Sequence, residues 1–382
     1  MRICHVAPEL LPVPPSRGGA IERWIRDAAV RLAGRGHELH VVSRDRGDGK
    51  SADRIDGVHY HYVQVPAAVD RGMAAVMFRG LLHYRSARKI IRALAPDVVH
   101  HHSRPAGLWL SDSGGSRHVI SLHSMDYGWS FGYADWDRRL FDRGFKTAAR
   151  VLSVSNFIRE HTEQRFAAAA GKSVTIYNGV DGALFTPAAT MAADAPILYV
   201  GRVEERKGVH VLLDAFEQVI SAQRPQTRLR IVGPHSYWNA VPSSYYQALA
   251  ERCAANPRIE LRGPTYDDQE LAAVYRDAAV SVVPSVFPEA LGLTSLEAQA
   301  SGVPVVVSKS GGLPETVSAG KSGFVFDNGN AGQLAESVLS LLNNEERRRA
   351  MGAAAREWVM RTFSWDVIAA QLEQVYAEAV AR

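Results

Sequence analysis

The sequence predicts an α/β protein built as two units in tandem, each organised around a parallel sheet. Three observations carry this expectation. Short β-branched runs alternate with longer alanine- and leucine-rich segments along the whole chain. Strand candidates end in glycine, histidine or serine just before the next helical pattern. With 382 residues, 46% of them hydrophobic and 22% charged, the chain has apolar mass for two cores.

In the first unit the strand candidates are RICHVA (2–7), HELHVVS (37–43), VHYHYVQV (58–65), DVVHH (97–101), RHVISLH (117–123), RVLSVS (150–155) and SVTIYN (173–178). Between the first two, 20–36 reads as a helix: Ile21, Trp24, Ile25, Ala28, Ala29 and Leu32 form one apolar face, and Gly34 and Gly36 end it. A second register follows the alanine- and proline-containing stretch FTPAATMAADAP (185–196). Its strands are ILYVG (197–201), RLRIVG (228–233), RIEL (258–261), VSVVP (280–284), VPVVVS (303–308) and GFVF (323–326), with helices around 208–222, 243–255, 268–279, 291–301 and 330–342. Residues 345–382 read as helices. The expected division is a first domain over 1–185, a second over 186–360, and a last helix over 361–382 that returns to the first. Two such units would set their ligand-binding sheet edges face to face across a cleft.

Composition excludes several functions. Cys4 and Cys253 lie far apart without a CxxC, which argues against a disulfide framework or thiolate zinc site and for a reducing compartment. The opening MRICHVAPELLPVPP meets proline too early for an export signal, and no later apolar run reaches the ~20 residues that span a bilayer. Residues 1–185 carry 26 Lys+Arg against 18 Asp+Glu and twelve of the fourteen histidines, whereas 186–382 carry 18 against 22. The basic half lacks a block of basic residues, so nucleic acid is not the expected partner. His100, His101 and His102 follow one another on a strand, where neighbours point to opposite faces, and no carboxylate stands nearby in sequence; they are not read as a metal site.

Four segments carry candidate chemistry. Gly18 and Gly19 in RGGAIE (17–22) precede a helix, where backbone can approach a phosphate or where they serve only as a turn. In GRVEERKG (201–208), Arg202 can fork onto phosphate oxygens while Lys207 supplies a point charge; the same residues suit a solvated loop. In EALGLTSLE (289–297), Glu289 lies on an entry loop, Gly292 and Leu293 open the next helix, and Glu297 sits eight residues beyond Glu289. On one continuous helix the two acids would be rotated by roughly 80°, so Glu289 on the loop can face one part of a ligand and Glu297 another. GGLPE (311–315) adds a second glycine turn, and His123 ends a strand candidate.

Together these segments resemble the retaining nucleotide-sugar glycosyltransferases of family four, the glycogen synthase- and sucrose-phosphate synthase-like group. The resemblance runs through RGGAIE, YNGVD (177–181), GRVEERKG, EALGLTSLE and GGLPE. It implies a GT-B-type fold, two Rossmann-like domains facing across a cleft, with donor on the second domain and acceptor on the first. Arg202 and Lys207 then match the diphosphate-binding pair, and Glu289 the acid on the donor sugar's hydroxyls. Glu297 matches the ribose ligand, with Gly292 and Leu293 beside it. Gly19, next to Gly18, matches a backbone contact near phosphate, and His123 the histidine close to the transferred sugar. Leu291 departs from the pattern, which commonly has an aromatic there.

The implied reaction is retaining transfer of a hexose or N-acetylhexosamine from a nucleotide sugar, a UDP-sugar by expectation, to a hydroxyl of a saccharide, aminocyclitol or other small polyhydroxylated acceptor. No metal or further cofactor is required, and the expected location is cytoplasmic. The loop 124–139, with Tyr127, Trp129, Phe131, Tyr133, Trp136, Asp126, Asp135 and Asp137, suits a polyhydroxylated acceptor. HSYWNAVPSSYY (235–246) either borders the nucleotide or shapes the cleft. Two alternatives stand beside this. The basic segment 70–94, with Met77, Phe78, Leu81 and Leu82 near Arg79, Arg85, Arg88 and Lys89, suits either an ordinary sheet-covering helix or peripheral contact with an anionic inner membrane face, and so a lipid-linked acceptor. A nucleotide-sugar-binding protein without transferase activity is the other.

Overall fold

The computed structural model describes residues 1–15, 19–64, 73–112, 114–125, 135–190, 192, 194–236 and 241–381, with the backbone alone at 73–77 and 135–137. The chain forms two compact units: Met1–Asn178 with Trp365–Arg382, and Gly179–Ser364.

The first unit holds eight strands: β1 (Arg2–Val6), β2 (Glu38–Arg44), β3 (Ala52–Ile55), β4 (Val58–Val63), β5 (Val98–His102), β6 (Arg117–Leu122), β7 (Arg150–Ser153) and β8 (Ser173–Thr175). Their order is β3-β4-β2-β1-β5-β6-β7-β8, parallel except for the β3–β4 pair. The sequence reading did not include β3. It pairs with β4 through a tight Asp56-Gly57 turn, both residues at positive φ (50° and 80°), the geometry that suits right-twisted antiparallel strands. Helix Ala20–Gly34 buries Trp24, Ile25, Ala28, Ala29 and Leu32, the spacing of one helical face, into this unit's core.

The helix Trp365–Val380 contributes Trp365, Ile368, Ala369, Leu372, Val375 and Tyr376 to the same core. Glu373 ties it down through Arg35 (2.6 Å) and His37 (2.8 Å). The division falls at 178/179 and 364/365 instead of 185/186 and 360/361, and contacts explain the difference. Val180 donates its N–H to the Phe363 carbonyl at 2.8 Å, and Arg356 donates to the Phe185 carbonyl at 2.8 Å, so 179–185 and 361–364 pack within the second unit.

The basic helix Met73–Leu94 buries Tyr84, Ala87 and Ile91 against Cys4, Val6, Val42 and Val99 of the sheet. Arg79 is also buried, Leu81 and Leu82 are half-buried, and Arg85, Arg88 and Lys89 face solvent with Phe78. The side chain of Met77 lies outside the described residues. No helix among the described residues is long and apolar enough to cross a membrane.

The second unit is a six-stranded, wholly parallel sheet of β9 (Ile197–Val200), β10 (Leu229–Val232), β11 (Ile259–Arg262), β12 (Val280–Val283), β13 (Val305–Ser308) and β14 (Gly323–Phe326), ordered β11-β10-β9-β12-β13-β14. The chain runs outward from β9 to one side and from β12 to the other. Ligands bind open parallel sheets at such a switch point, beyond the carboxyl ends of the strands. The loops after β9, β12 and β13 carry GRVEERKG, EALGL and GGLPE. In the first unit the corresponding switch lies between β1 and β5, and the loop to Gly19 and the turn at His123 leave that same edge.

Candidate active site

In the second unit the loop after β9 is pinned before it reaches its charged residues. The Tyr199 hydroxyl donates to the Arg202 carbonyl oxygen (2.6 Å), and the Val203 N–H donates to the Pro234 carbonyl (2.9 Å). Arg202 Nη1 donates to Glu204 Oε1 at 2.7 Å, while Arg206 holds the other oxygen of Glu204 at 2.8 Å. A single 3₁₀ turn, Glu205–Lys207, ends at Gly208 with φ 70°. A Cβ at Gly208 would run into the Pro284 carbonyl oxygen, so only glycine lets this turn lie against the end of β12.

That close approach delivers Lys207 to Glu289: Nζ donates to Oε1 at 2.5 Å, and the Ser285 hydroxyl donates to the same oxygen at 2.6 Å. Glu289 is itself clamped from behind. Its carbonyl accepts the Gly312 N–H at 2.8 Å, and its backbone bridges to Gly311, where φ is 60° and a Cβ would strike the Glu289 backbone. Burial pushes the Glu289 carboxyl up, but the Lys207 ammonium, the Ser285 hydroxyl and the Arg202 charge outweigh it and hold it below the usual glutamate range. The group is therefore an ionised acceptor with its charge partner in place.

Gly292, at φ 110°, caps the helix Leu293–Ala300, which begins at Leu293. Leu291, where the family resemblance expects an aromatic, is fully buried and packs as a core residue. On the helix Glu297 is buried and accepts from the Tyr275 hydroxyl at 2.8 Å. The structure thus brings Arg202, Lys207 and Glu289 into one charged cluster, with Gly292, Leu293 and Glu297 on the helix that follows. Sequence reasoning missed Tyr199, Tyr275 and Ser285. Ser285 was legible, lying four residues before Glu289, whereas Tyr275 arrives from the separate helix Asp268–Arg276 and leaves no local signal.

In the first unit Gly19 caps helix Ala20–Gly34 at φ 118°, beside the buried Glu22, whose carboxyl burial pushes up to about 7. Gly18 lies outside the described residues. His123 follows β6, half-buried, with Nε2 3.0 Å from His102 Nδ1 and its ring edge-on to Trp24 at 5.2 Å. Burial lowers its pKa to about 3, so the ring is neutral. The acceptor-loop residues Asp126, Tyr127, Trp129, Phe131 and Tyr133, and the side chains of Asp135, Trp136 and Asp137, lie outside the described residues, as do 237–240. From the second aromatic patch, the Tyr245 hydroxyl lies 3.1 Å from His210 Nδ1.

Strand alternation separates only His101 from the histidine run; it pairs with His118. Alternate strand residues share a face, so His100 and His102 lie together, and His5 of the adjacent β1 joins them, with all three ring nitrogens within 4.8 Å of one another. The rings stack, His100 on His102 at 4.4 Å, and both nitrogens of His100 are occupied, by the Tyr376 hydroxyl (2.6 Å) and Ser121 Oγ (2.8 Å).

Residues 18–183 match the family model "Glycosyltransferase Family 4" and residues 189–358 match "Glycosyl transferases group 1". The chain is 36% identical over 408 residues to a D-inositol 3-phosphate glycosyltransferase of Corynebacterium efficiens, covering 98% of this chain and 94% of that one. It is 30% identical over 391 residues to a GDP-mannose-dependent alpha-(1-6)-phosphatidylinositol monomannoside mannosyltransferase of Mycobacterium tuberculosis, covering 94% of each. Among solved structures, sucrose-phosphate synthase from Thermosynechococcus elongatus superposes with a TM-score of 0.83 at 22% identity over the whole of both chains, a shared two-domain GT-B fold.

Proposed function

The chain belongs to the family 4 glycosyltransferases and uses a nucleotide-sugar donor, and on that premise we infer that it moves a hexose or N-acetylhexosamine from a UDP-sugar, with retention, to a hydroxyl of a small polyhydroxylated acceptor. The observation that carries this reading is the Lys207–Glu289–Ser285 cluster. It holds an ionised carboxylate beside an ammonium at the carboxyl edge of a parallel sheet.

Arg202 and Lys207 bind the donor diphosphate and stabilise the charge that gathers on it as the glycosidic bond breaks. Two fixed cations supply that stabilisation, so the reading requires no metal. Glu289 accepts hydrogen bonds from the sugar's hydroxyls while positive charge develops near the anomeric carbon. Glu297, held by Tyr275, binds the ribose; the Gly292–Leu293 backbone lies beside it. From the first unit, the family resemblance assigns Gly18 and Gly19 to phosphate and His123, as a neutral imidazole, to the transferred sugar. Attack comes from the face the diphosphate leaves, and the departing phosphate takes the acceptor's proton.

A saccharide or cyclitol acceptor agrees with the C. efficiens relative, whose name specifies an inositol phosphate. The buried apolar face of helix Met73–Leu94 favours a sheet-covering role over a membrane surface, and with it a cytoplasmic enzyme. A lipid-linked acceptor at the inner membrane face is the second reading. It draws on the M. tuberculosis relative and on the exposed Phe78, Arg85, Arg88 and Lys89. The test is transfer by purified protein from UDP-glucose, UDP-N-acetylglucosamine and GDP-mannose to cyclitol, saccharide and lipid acceptors, with the product anomer read by NMR. The proposal expects acceptor-dependent UDP release and an α product from an α donor. Transfer from GDP-mannose alone overturns the UDP assignment. Transfer only to vesicle-borne lipids, lost when Arg85, Arg88 and Lys89 are neutralised, overturns the soluble acceptor.

A further inference from the structure

The histidines of β1, β5 and the end of β6 form a hydrogen-bonded row. Strand pairing sets His5 beside His100 and His102 beside Ser121, and the period of two puts His5, His100, His102, Ser121 and His123 on one face of the sheet. His5 Nδ1 lies 3.1 Å from His102 Nε2, and His102 Nδ1 lies 3.0 Å from His123 Nε2. His102 thus has both ring nitrogens engaged, whereas His123 Nδ1 makes no hydrogen bond among the described residues.

Proton counting restricts this row to two arrangements. A neutral imidazole carries one N–H, and each of the two gaps needs one proton. If His102 donates from Nδ1, then His5 donates from Nδ1 into the first gap and His123 carries its proton on Nδ1. If His102 donates from Nε2, then His123 donates from Nε2 and His5 carries its proton on Nε2. The second arrangement leaves a buried N–H with no partner, because His5 Nε2 is buried and makes no hydrogen bond among the described residues. The first leaves only an unused lone pair there, and orphaned buried N–H groups are the rarer of the two in folded proteins. We propose that His102, backed by His5, is a positioning residue that fixes His123 as the Nδ1–H tautomer, presenting an N–H donor to an oxygen of the transferred sugar.

The proposal rests on the reading of His123 as a sugar contact and adds which proton it offers. Burial and stacking support it by keeping the row uncharged: the pKa of His5 falls to about 3, that of His123 likewise, and that of His102 well below the usual range. A metal at His5, His100 and His102 competes with it. Such an ion would have to displace the hydrogen bonds that already occupy His100 and His102, and the three offer no anionic ligand.

The test is long-range ¹H–¹⁵N correlation on histidine-labelled protein at neutral pH, with His123 assigned from the signals lost in His123→Gln. The expected spectrum has a protonated Nδ1 and an unprotonated Nε2 for His123. His102→Leu, which removes the donor that Nε2 accepts from, is expected to leave His123 unfixed, with both neutral tautomers populated, and to lower kcat several-fold. His102→Asn, whose amide nitrogen stands near the former Nδ1 and donates, is expected to restore the Nδ1–H form and most of the rate. If His102→Leu does not fold, the unmodified protein still decides. An Nε2–H signal for His123 in unmodified protein overturns the proposal, as does stoichiometric zinc with metal-shifted resonances of His5 and His102. Full kcat in His123→Gln instead removes the sugar contact while leaving the tautomer result standing, so the two readings fail separately.

Discussion

Lys207 Nζ sits 2.5 Å from Glu289 Oε1, joining the loop after β9 to the loop after β12. The pair couples two proposed roles, diphosphate binding and sugar contact, that the sequence keeps 82 residues apart. Lys207→Ala should therefore do two things. It should weaken nucleoside-diphosphate binding by about 1.5–3 kcal/mol, the worth of a charge-assisted contact. It should also move the acid limb of the pH–rate profile upward, because Glu289 loses the largest influence holding its carboxyl down while keeping the burial that pushes it up. Arg202→Ala should reproduce the affinity loss with a smaller displacement of the limb. Calorimetry and pH–rate profiles check both; an unmoved limb in Lys207→Ala would contradict the coupling.

Tyr275 holds Glu297 by one hydrogen bond inside the core of the second unit. Tyr275→Phe keeps the ring and removes the donor, so donor KM should rise roughly tenfold or more while kcat at saturating donor stays near that of the unmodified enzyme. Glu297→Gln should act in the same direction. A fall in kcat at unchanged KM would place Glu297 against the reacting sugar and away from the ribose.

Gly208 makes the approach of Lys207 to Glu289 sterically possible. Gly208→Ala imposes a left-handed residue worth about 1–3 kcal/mol of strain and pushes a methyl group at the Pro284 carbonyl. The second unit should unfold at lower urea while the first is unaffected, and diphosphate affinity should drop with it. Unchanged affinity in a folded Gly208→Ala protein would show that Lys207 does not need this turn.

Acid should loosen the first unit before the second. Unfolded histidines titrate near 6.5, whereas burial lowers His5 and His123 to about 3 and lowers His83 and His118 as well. Between those values the unfolded chain binds more protons, so the stability present above pH 6.5 is lost as pH falls toward 3. Glu22, raised to about 7, works the other way but is a single group. The second unit carries only His210 and His235. Hydrogen exchange at pH 7.5 and 5.5 should show protection falling first in 1–178 and 365–382; parallel loss in both units would contradict the assignment.

The fold was legible where a pattern is local. Helix 20–34 follows from its apolar spacing, and β9 to β14 from short β-branched or aromatic runs, three of which run into glycine (β9, β10, β11) and one into proline (β12). The β3–β4 hairpin is signalled in the sequence by Asp56-Gly57 alone, because the charged, non-alternating ADRI lacks a strand pattern. What could not be read is tertiary. The clamp of Gly311 on the Glu289 backbone, the reach of Tyr275 to Glu297, and the grouping of His5 with His100 and His102 all depend on strand order, and sequence separation hides strand order. The charge motifs named Arg202, Lys207 and Glu289; they could not say that Lys207 and Glu289 are partners of each other.

The central claim is that Glu289 faces the reacting sugar of a nucleotide-sugar donor. Its most direct test is acceptor-dependent release of nucleoside diphosphate by Glu289→Gln at saturating donor, alongside diphosphate affinity measured on the same preparation. The account expects turnover to fall on the order of 100-fold while nucleoside-diphosphate affinity, carried by Arg202, Lys207 and Glu297, remains within a few-fold. Full turnover by a folded Glu289→Gln enzyme would contradict it and remove Glu289 from the reacting sugar.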